Sequence, residues 1–312
     1  NHRSIADGKW PAQVNDIKAV IRFIRANAAK YKFDTSFIAT SGFSSGGHLS
    51  AVTALSNGVK VAKQGNAEYD VEGSVGPYTK ESSYVNAFCD WSGPTELLQM
   101  ECGNAMVFGG KGNTPEEQLI GAPKEGNESK FLLLSASGYI DKNDVPGYIF
   151  HGDKDFVVAS CVSQYLYDQL QKAGVESYII REPEGGHGMG MYSETNLQKM
   201  VDFLDAARGA APREKTRIIE EGGTGAYKAI LKADPTLPEH TIFVPQDLSA
   251  FNASKPLPVL VWGNGACANS PFEHMNFLNE IASNGYIVLA TGDIPMTDEE
   301  EIPFSWGIKR QQ

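Results

Sequence analysis

The 312-residue chain carries 38 acidic against 27 basic side chains, a net charge of −11, and such a surface repels a phosphate backbone. No cluster of Lys and Arg interleaved with aromatics offsets it, so nucleic acid is not an expected partner. No apolar run approaches the roughly 20 residues that span a bilayer, and residues 1–30 show no signal-peptide pattern, so no membrane partner is expected either.

From Pro11 the segment "PAQVNDIKAVIRFIRANAAKY" sets Val14, Ile17, Ile21, Ile24 and Ala28 at steps of three and four, which predicts an amphipathic helix with Pro11 in its first turn. "SFIAT" (Ser36 to Thr40) reads as a short buried strand, and "SSGGHLSAVTALSNG" resumes helical character up to Gly58. Residues 59–84 are polar and Gly-rich and read as a surface excursion, followed by a strand in "NAFCDWSGP" and an irregular stretch around "GGKGNTPEEQ". "PGYIF" reads as a strand, "CVSQYLYDQLQKAG" as a helix ended by Gly174, "VESYIIR" as a strand, and a last helix carries Leu197, Val201 and Leu204. Strands alternating with helices predict an α/β fold with a mainly parallel sheet and helices on both faces.

The tract 209–225 is charged, Gly-containing and aperiodic, and reads as a linker. Beyond it "HTIFVP", "PLPVLVWGNG", the helical "FEHMNFLNEIASNG" and "YIVLATG" are again α/β elements, and the acidic run from Asp298 to Glu301 reads as a solvated loop. Cys89, Cys102, Cys161 and Cys267 lack C-x-x-C spacing and read as buried thiols, with a single Cys89–Cys102 bridge as the alternative. The six histidines include no metal-ligand spacing, so neither metal nor cofactor is implied.

In "SGFSSGGHLSA" only Ser44 has glycine at both −2 and +2, Gly42 and Gly46; Ser45 would need glycine where Phe43 stands and Ser41 where Ala39 stands. G-x-S-x-G between a strand and a helix is the pattern of a nucleophile held on a sharp turn. A serine hydroxyl needs a base, and the base an orienting carboxylate. "HGDKDF" places Asp153 and Asp155 after a strand, and "EPEGGHGMGM" places His187 after the next one, at the sheet edge where open α/β folds build their sites. His48 and His151 read as structural hydrogen-bonding residues.

The stretches "KWPAQVNDIKAVIRFIRANAAKY", "GFSSGGHLSA", "WSGPTELLQM", "TPEEQLIG", "HGDKDFVV" and "GGHG" resemble, in order and spacing, the α/β-hydrolase branch of bifunctional feruloyl and acetyl-xylan esterases. The resemblance covers residues 1–208. It implies an α/β-hydrolase fold, Ser44 as nucleophile, Asp155 as acid with Asp153 second, His187 as base, and the Ser45 N–H as one oxyanion donor. It further implies a serine esterase acting on acyl groups of plant polysaccharides or oligosaccharides, with a small ester or acylated carbohydrate as partner. Such a substrate implies a periplasmic or secreted location, with any signal peptide lying outside this chain. A serine peptidase of the prolyl-oligopeptidase kind shares the order of the three residues, but it usually has Tyr-Gly-Gly after the serine, where this chain has Ser45, Gly46, Gly47 and His48.

The family's first strands and its His-Gly-Gly-Gly-type loop should precede "NHRSIADGKWPAQ". Residues 226–312 resemble instead the opening strands of another α/β hydrolase. Two arrangements account for this: a piece of a tandem esterase, favoured by the difference between the two branches, or one composite domain in which "PLPVLV" or "YIVLA" pairs with the strand ending at Thr40. Gly263, Asn264 and Gly265 are then candidate oxyanion-loop residues. The remaining alternative is a weakly active or non-catalytic fragment that lacks part of its oxyanion hole.

Overall fold

The computed structural model describes residues 2–103, 106, 108–110, 112–210, 216–234, 236–265 and 270–295, divided between two units, Asn1–Ala210 and Ala211–Gln312. The first runs α1 (Ala12–Ala26), α2 (Ala28–Tyr31), β1 (Ala39–Phe43), α3 (Ser45–Leu55), β2 (Val61–Gln64), β3 (Ala67–Asp70), β4 (Ala87–Trp91), α4 (Pro115–Ile120), α5 (Glu128–Leu132), β5 (Gly147–Gly152), α6 (Ser160–Ala173), β6 (Ser177–Glu182) and α7 (Glu194–Ala207). The second contains β7 (Thr216–Arg217), β8 (Ala229–Asp234), β9 (Leu237–Pro245), β10 (Val259–Trp262), α8 (Met275–Ser283) and β11 (Ile287–Thr291). Among the described residues no helix is long and apolar enough to cross a membrane.

In the first unit β1, β4, β5 and β6 lie side by side in that order, all parallel. Parallel strands bury both faces, and alternate side chains serve different layers. Phe88 and Ile149 share a core with Val14, Leu49, Val52, Leu166 and Leu170, from α1, α3 and α6. Ala87 and Cys89, with Tyr148, meet Phe203 and Met200 of α7 on the opposite face. Parallel pairing also brings the C-terminal ends of all four strands to one edge, and the loops after β1, β4, β5 and β6 emerge there together. Gly174, in the left-handed conformation (φ 78°), ends α6 as its sequence position predicts.

Several boundaries differ from the expectation. The strand predicted at Ser36 to Thr40 lies three residues later, because the ladder to β4 pairs Gly42 with Asp90 and Phe43 with Trp91. Backbone pairing there outweighs the low strand propensity of Ser-Gly, and the strand ends one residue before Ser44. The helix after it stops at Leu55. The expected surface excursion contains the antiparallel hairpin β2–β3, whose turn is Gly65-Asn66. Its inner residues Ala62, Ala67 and Val71 are buried in the main core. Glu72 fixes the segment to α1: it accepts from Arg22 at 2.7 Å and lies 3.4 Å from the Lys18 ammonium, and both cations are buried. Burial alone would drive the Lys18 ammonium towards neutrality; it lies below its ordinary range, with Glu72 opposing the shift.

The second unit has a five-stranded sheet in the order β10-β11-β9-β8-β7. "PLPVLV" and "YIVLA" pair with each other there in parallel, and β11 continues antiparallel to β9. Thr216 and Arg217, inside the tract read as linker, pair with Lys232 and Leu231. The core contains Leu231, Phe243, Leu278 and Val288. The acidic run from Asp298 to Glu301 and Cys267 lie outside the described residues.

The turn from β1 into α3 holds a non-glycine residue at positive φ. Ser44 has φ 56° and ψ −121°, a conformation costing a non-glycine residue about 1–3 kcal/mol. It is held because the Ser44 N–H donates to Trp91 O at 2.8 Å and the His48 N–H donates to Ser44 O at 3.1 Å. A Cβ on Gly42 would lie 2.2 Å from Gly46 O, and one on Gly47 2.2 Å from Asp90 Oδ1, whereas one on Gly46 would meet nothing within 4 Å. Crowding therefore demands glycine at 42 and 47 but not at 46. In urea denaturation Gly42→Ala is expected to lose about 1–3 kcal/mol, while Gly46→Ala is neutral or gains up to about 1 kcal/mol from helix propensity. Equal losses in the two variants would contradict this account. Glu72→Ala, which leaves two buried cations without their carboxylate, is expected to cost about 3–5 kcal/mol; an unchanged Tm would show that the cations do not depend on it.

Candidate active site

Ser44 follows β1, Asp155 follows β5 and His187 follows β6, and the strand order brings the three side chains into one line. His187 Nε2 lies 3.0 Å from Ser44 Oγ, and His187 Nδ1 lies 2.7 Å from Asp155 Oδ2. A carboxylate only accepts, so Nδ1 carries the ring proton and Nε2 is left to accept from the Ser44 hydroxyl. The His187 side chain is 15% exposed and that of Asp155 is fully buried. Phe43 packs on the imidazole, ring centroids 4.7 Å apart, and restricts its tilt. The arrangement can move a proton from Ser44 Oγ to His187 while Asp155 offsets the charge that forms.

Burial on its own would raise the Asp155 carboxyl. Donation from His151, the Val158 N–H, His187 and the Val157 N–H outweighs it and brings the group from the usual 3.8 down to about 2. A group depressed in this way stabilises the folded chain above about pH 4, and that contribution is lost as pH falls towards about 2. Asp153, the second choice for the acid, instead accepts from Arg181 Nε at 2.6 Å. His48 is buried, and burial pushes its imidazole down to about 4; its Nε2 lies 2.6 Å from Leu134 O. His151 is buried among Ser163, Val158 and Asp155.

Sequence reasoning passed over Asp90, at the end of β4 beneath the Ser44 turn. Burial pushes its carboxyl up to about 7, against His151 and the Gly93 N–H, which donates to Oδ1 at 2.9 Å. No spacing rule marks such a residue. Nor does any rule mark the cavity of about 630 Å³ that opens from Ser44 and Ser45 over Leu97, Met100, Phe131 and Val158. Met100 precedes Cys102, and Cys102 is bonded to Cys161 in the first turn of α6. The bridge therefore joins partners different from those the sequence suggested; Cys89 is free, and burial pushes its thiol up to about 12.

Ser45 is the first residue of α3, so its N–H has no acceptor within the helix and is available at the Ser44 turn. Gly263, Asn264 and Gly265 follow β10 in the second unit, where the Asn264 amide donates to Thr291 O at 2.7 Å. A Cβ on Gly263 or Gly265 would meet no atom within 4 Å. Among the described residues no three His, Cys, Asp or Glu side chains gather as metal ligands.

A family model described as BD-FAE matches residues 1–170. Among curated proteins the chain is 26% identical over 205 residues to Esterase LipQ of Mycobacterium tuberculosis (strain ATCC 25618 / H37Rv), covering 64% of this chain and 45% of that protein. Among solved structures it is similar to a bifunctional GH43-CE of Bacteroides eggerthii, with 45% identity and a TM-score of 0.64 over 67% of this chain and 27% of that one. It is also similar to a truncated form of carbohydrate esterase from gut microbiota, with 40% identity and a TM-score of 0.63 over 67% of this chain and 73% of that one. The chain spans less than half the length of the curated relative and about a quarter of the bifunctional protein. With the family model covering more than half of it, the chain has the α/β-hydrolase fold and belongs to the BD-FAE family.

Proposed function

We propose that this chain is a serine esterase that hydrolyses carboxylic esters through an acyl-enzyme, with Ser44 as nucleophile, His187 as base and Asp155 as orienting acid. The observation that carries this reading is the unbroken line from Ser44 Oγ through His187 to Asp155, at 3.0 Å and 2.7 Å. Ser44 Oγ attacks the ester carbonyl as its proton passes to His187 Nε2, and the Ser45 N–H donates to the oxyanion that develops. His187 then returns the proton to the leaving alcohol oxygen as the C–O bond breaks. A water molecule, deprotonated by the same imidazole, attacks the acyl-enzyme; the acyl bond to Ser44 Oγ breaks as His187 returns the proton to that oxygen, and the acid is released.

The substrate we propose is an acyl group on a plant polysaccharide or oligosaccharide. Support comes from the 40% identity to a structure described as a carbohydrate esterase and from the cavity at Ser44, whose apolar floor of Leu97, Met100 and Phe131 suits an acyl group better than a sugar. An acyl group seated there leaves its alcohol outside the floor, on the His187 side where protonation is needed.

Hydrolysis of p-nitrophenyl acetate and release of acetate from acetylated xylo-oligosaccharides test the reading with the full chain. Ser44→Ala is expected to lower kcat on the order of 10⁶-fold, and Ser45→Ala, which keeps its backbone N–H, to leave it nearly unchanged. Loss of turnover in Ser45→Ala with retention in Ser44→Ala would overturn the nucleophile. Asp155→Asn is expected to lose around 10⁴-fold, whereas Asp153→Asn, whose carboxylate serves Arg181, stays close to wild type. The opposite ranking would assign the acid to Asp153.

A further inference from the structure

Asp155 receives four N–H donors, two on each oxygen. The Val157 and Val158 N–H groups donate to Oδ1, both at 2.8 Å. Oδ2 is shared between two imidazoles, His187 Nδ1 at 2.7 Å and His151 Nε2 at 3.2 Å. His151 Nε2 also faces Val158 O at 2.8 Å. Both neighbours of Nε2 are acceptors, so the His151 proton sits on that nitrogen and is divided between them. Nδ1, 2.7 Å from Ser163 Oγ, accepts from that hydroxyl in the neutral ring. The ring is fully buried and its tautomer is fixed from both sides.

We propose that His151 is a positioning residue: its Nε2–H holds Oδ2 of Asp155 where the His187 ring meets it. The proposal rests on the reading of Asp155 as the orienting acid. The Oδ1 donors come from residues two and three positions along the same loop, so they fix one oxygen and leave the carboxylate free to pivot about it. His151 comes from the end of β5, inside the sheet, and supplies the second fixed point. Through Val158 O it also grips the loop that donates to Oδ1, so one ring secures the carboxylate and the backbone around it. Oδ2 is the oxygen that meets His187, and displacement of the acid turns the imidazole away from Ser44 Oγ; an offset of about 1 Å in such a line costs on the order of 10²-fold in rate. Asp90, Asp155, Ser163 and the Val158 carbonyl surround His151, and its polar contacts are not those of a residue that fills space alone.

His151→Asn places an amide near the Nδ1 position, in reach of Ser163 but short of Asp155. His151→Gln restores a donor near Nε2. The expected result is a kcat lowered on the order of 10²-fold in His151→Asn at unchanged KM, with most of the loss recovered in His151→Gln. Independently of turnover, the downfield proton resonance of His187 Nδ1–H should be sharp in the wild type and in His151→Gln and broadened in His151→Asn. A wild-type chain without ester hydrolysis overturns the triad reading itself. A wild type that hydrolyses, with His151→Asn matching it in kcat and in the Nδ1–H resonance, or with His151→Gln folded yet recovering none of the loss, overturns the role of His151 alone.

Discussion

A carboxylate can remain ionised out of water only if N–H groups replace the water it has lost, and the site is arranged around meeting that condition at Asp155. Two of its donors come from the loop after β5, one from the end of that strand and one from the loop after β6. The last of these needs the parallel pairing of β5 with β6 to be in register. The same sheet sets β1 beside β4, and Trp91 O accepts the Ser44 N–H at the turn. The strained Ser44 backbone and the buried Asp155 charge are thus both unfavourable alone and both supported by one sheet. Chemistry at the strand ends is the consequence of a sheet that aligns them.

Much of the candidate site was legible because its signals are local. G-x-S-x-G selects one serine, and the order of strands selects the loops that carry Asp155 and His187. The choice between Asp153 and Asp155 was not local. It depends on Arg181 of β6 occupying Asp153, a pairing fixed by register rather than by sequence neighbourhood. The contact of His151 with Asp155 was hidden for a different reason: the two stand four residues apart in one motif, and nothing in that spacing says that the loop folds back over the strand end. The pattern does not say which glycines the turn needs for space: Gly46 completes it without being crowded, while Gly47, outside it, faces Asp90.

Elements whose stability comes from distant partners were the ones missed. The β2–β3 hairpin has few large apolar residues to announce it, and although Gly65-Asn66 is a turn signal, the segment after it is tied down by Glu72 meeting Lys18 and Arg22 across about fifty residues. The bond between Cys102 and Cys161 spans 59 residues, and four cysteines without short spacing leave any pairing open. β8 went unread because Lys228, Lys232 and Asp234 break up a short strand whose Ala229 and Leu231 face the core of the second unit.

The claim on which the functional account turns is that an acyl group passes through Ser44 Oγ. Acid quenching of the full chain during turnover of a slowly hydrolysed p-nitrophenyl ester, followed by peptide mass spectrometry, measures this directly. The account predicts one acyl increment on the peptide containing "SGFSSGGH", with fragment ions locating it at Ser44. An increment at Ser45, on another peptide, or none during sustained turnover would contradict it.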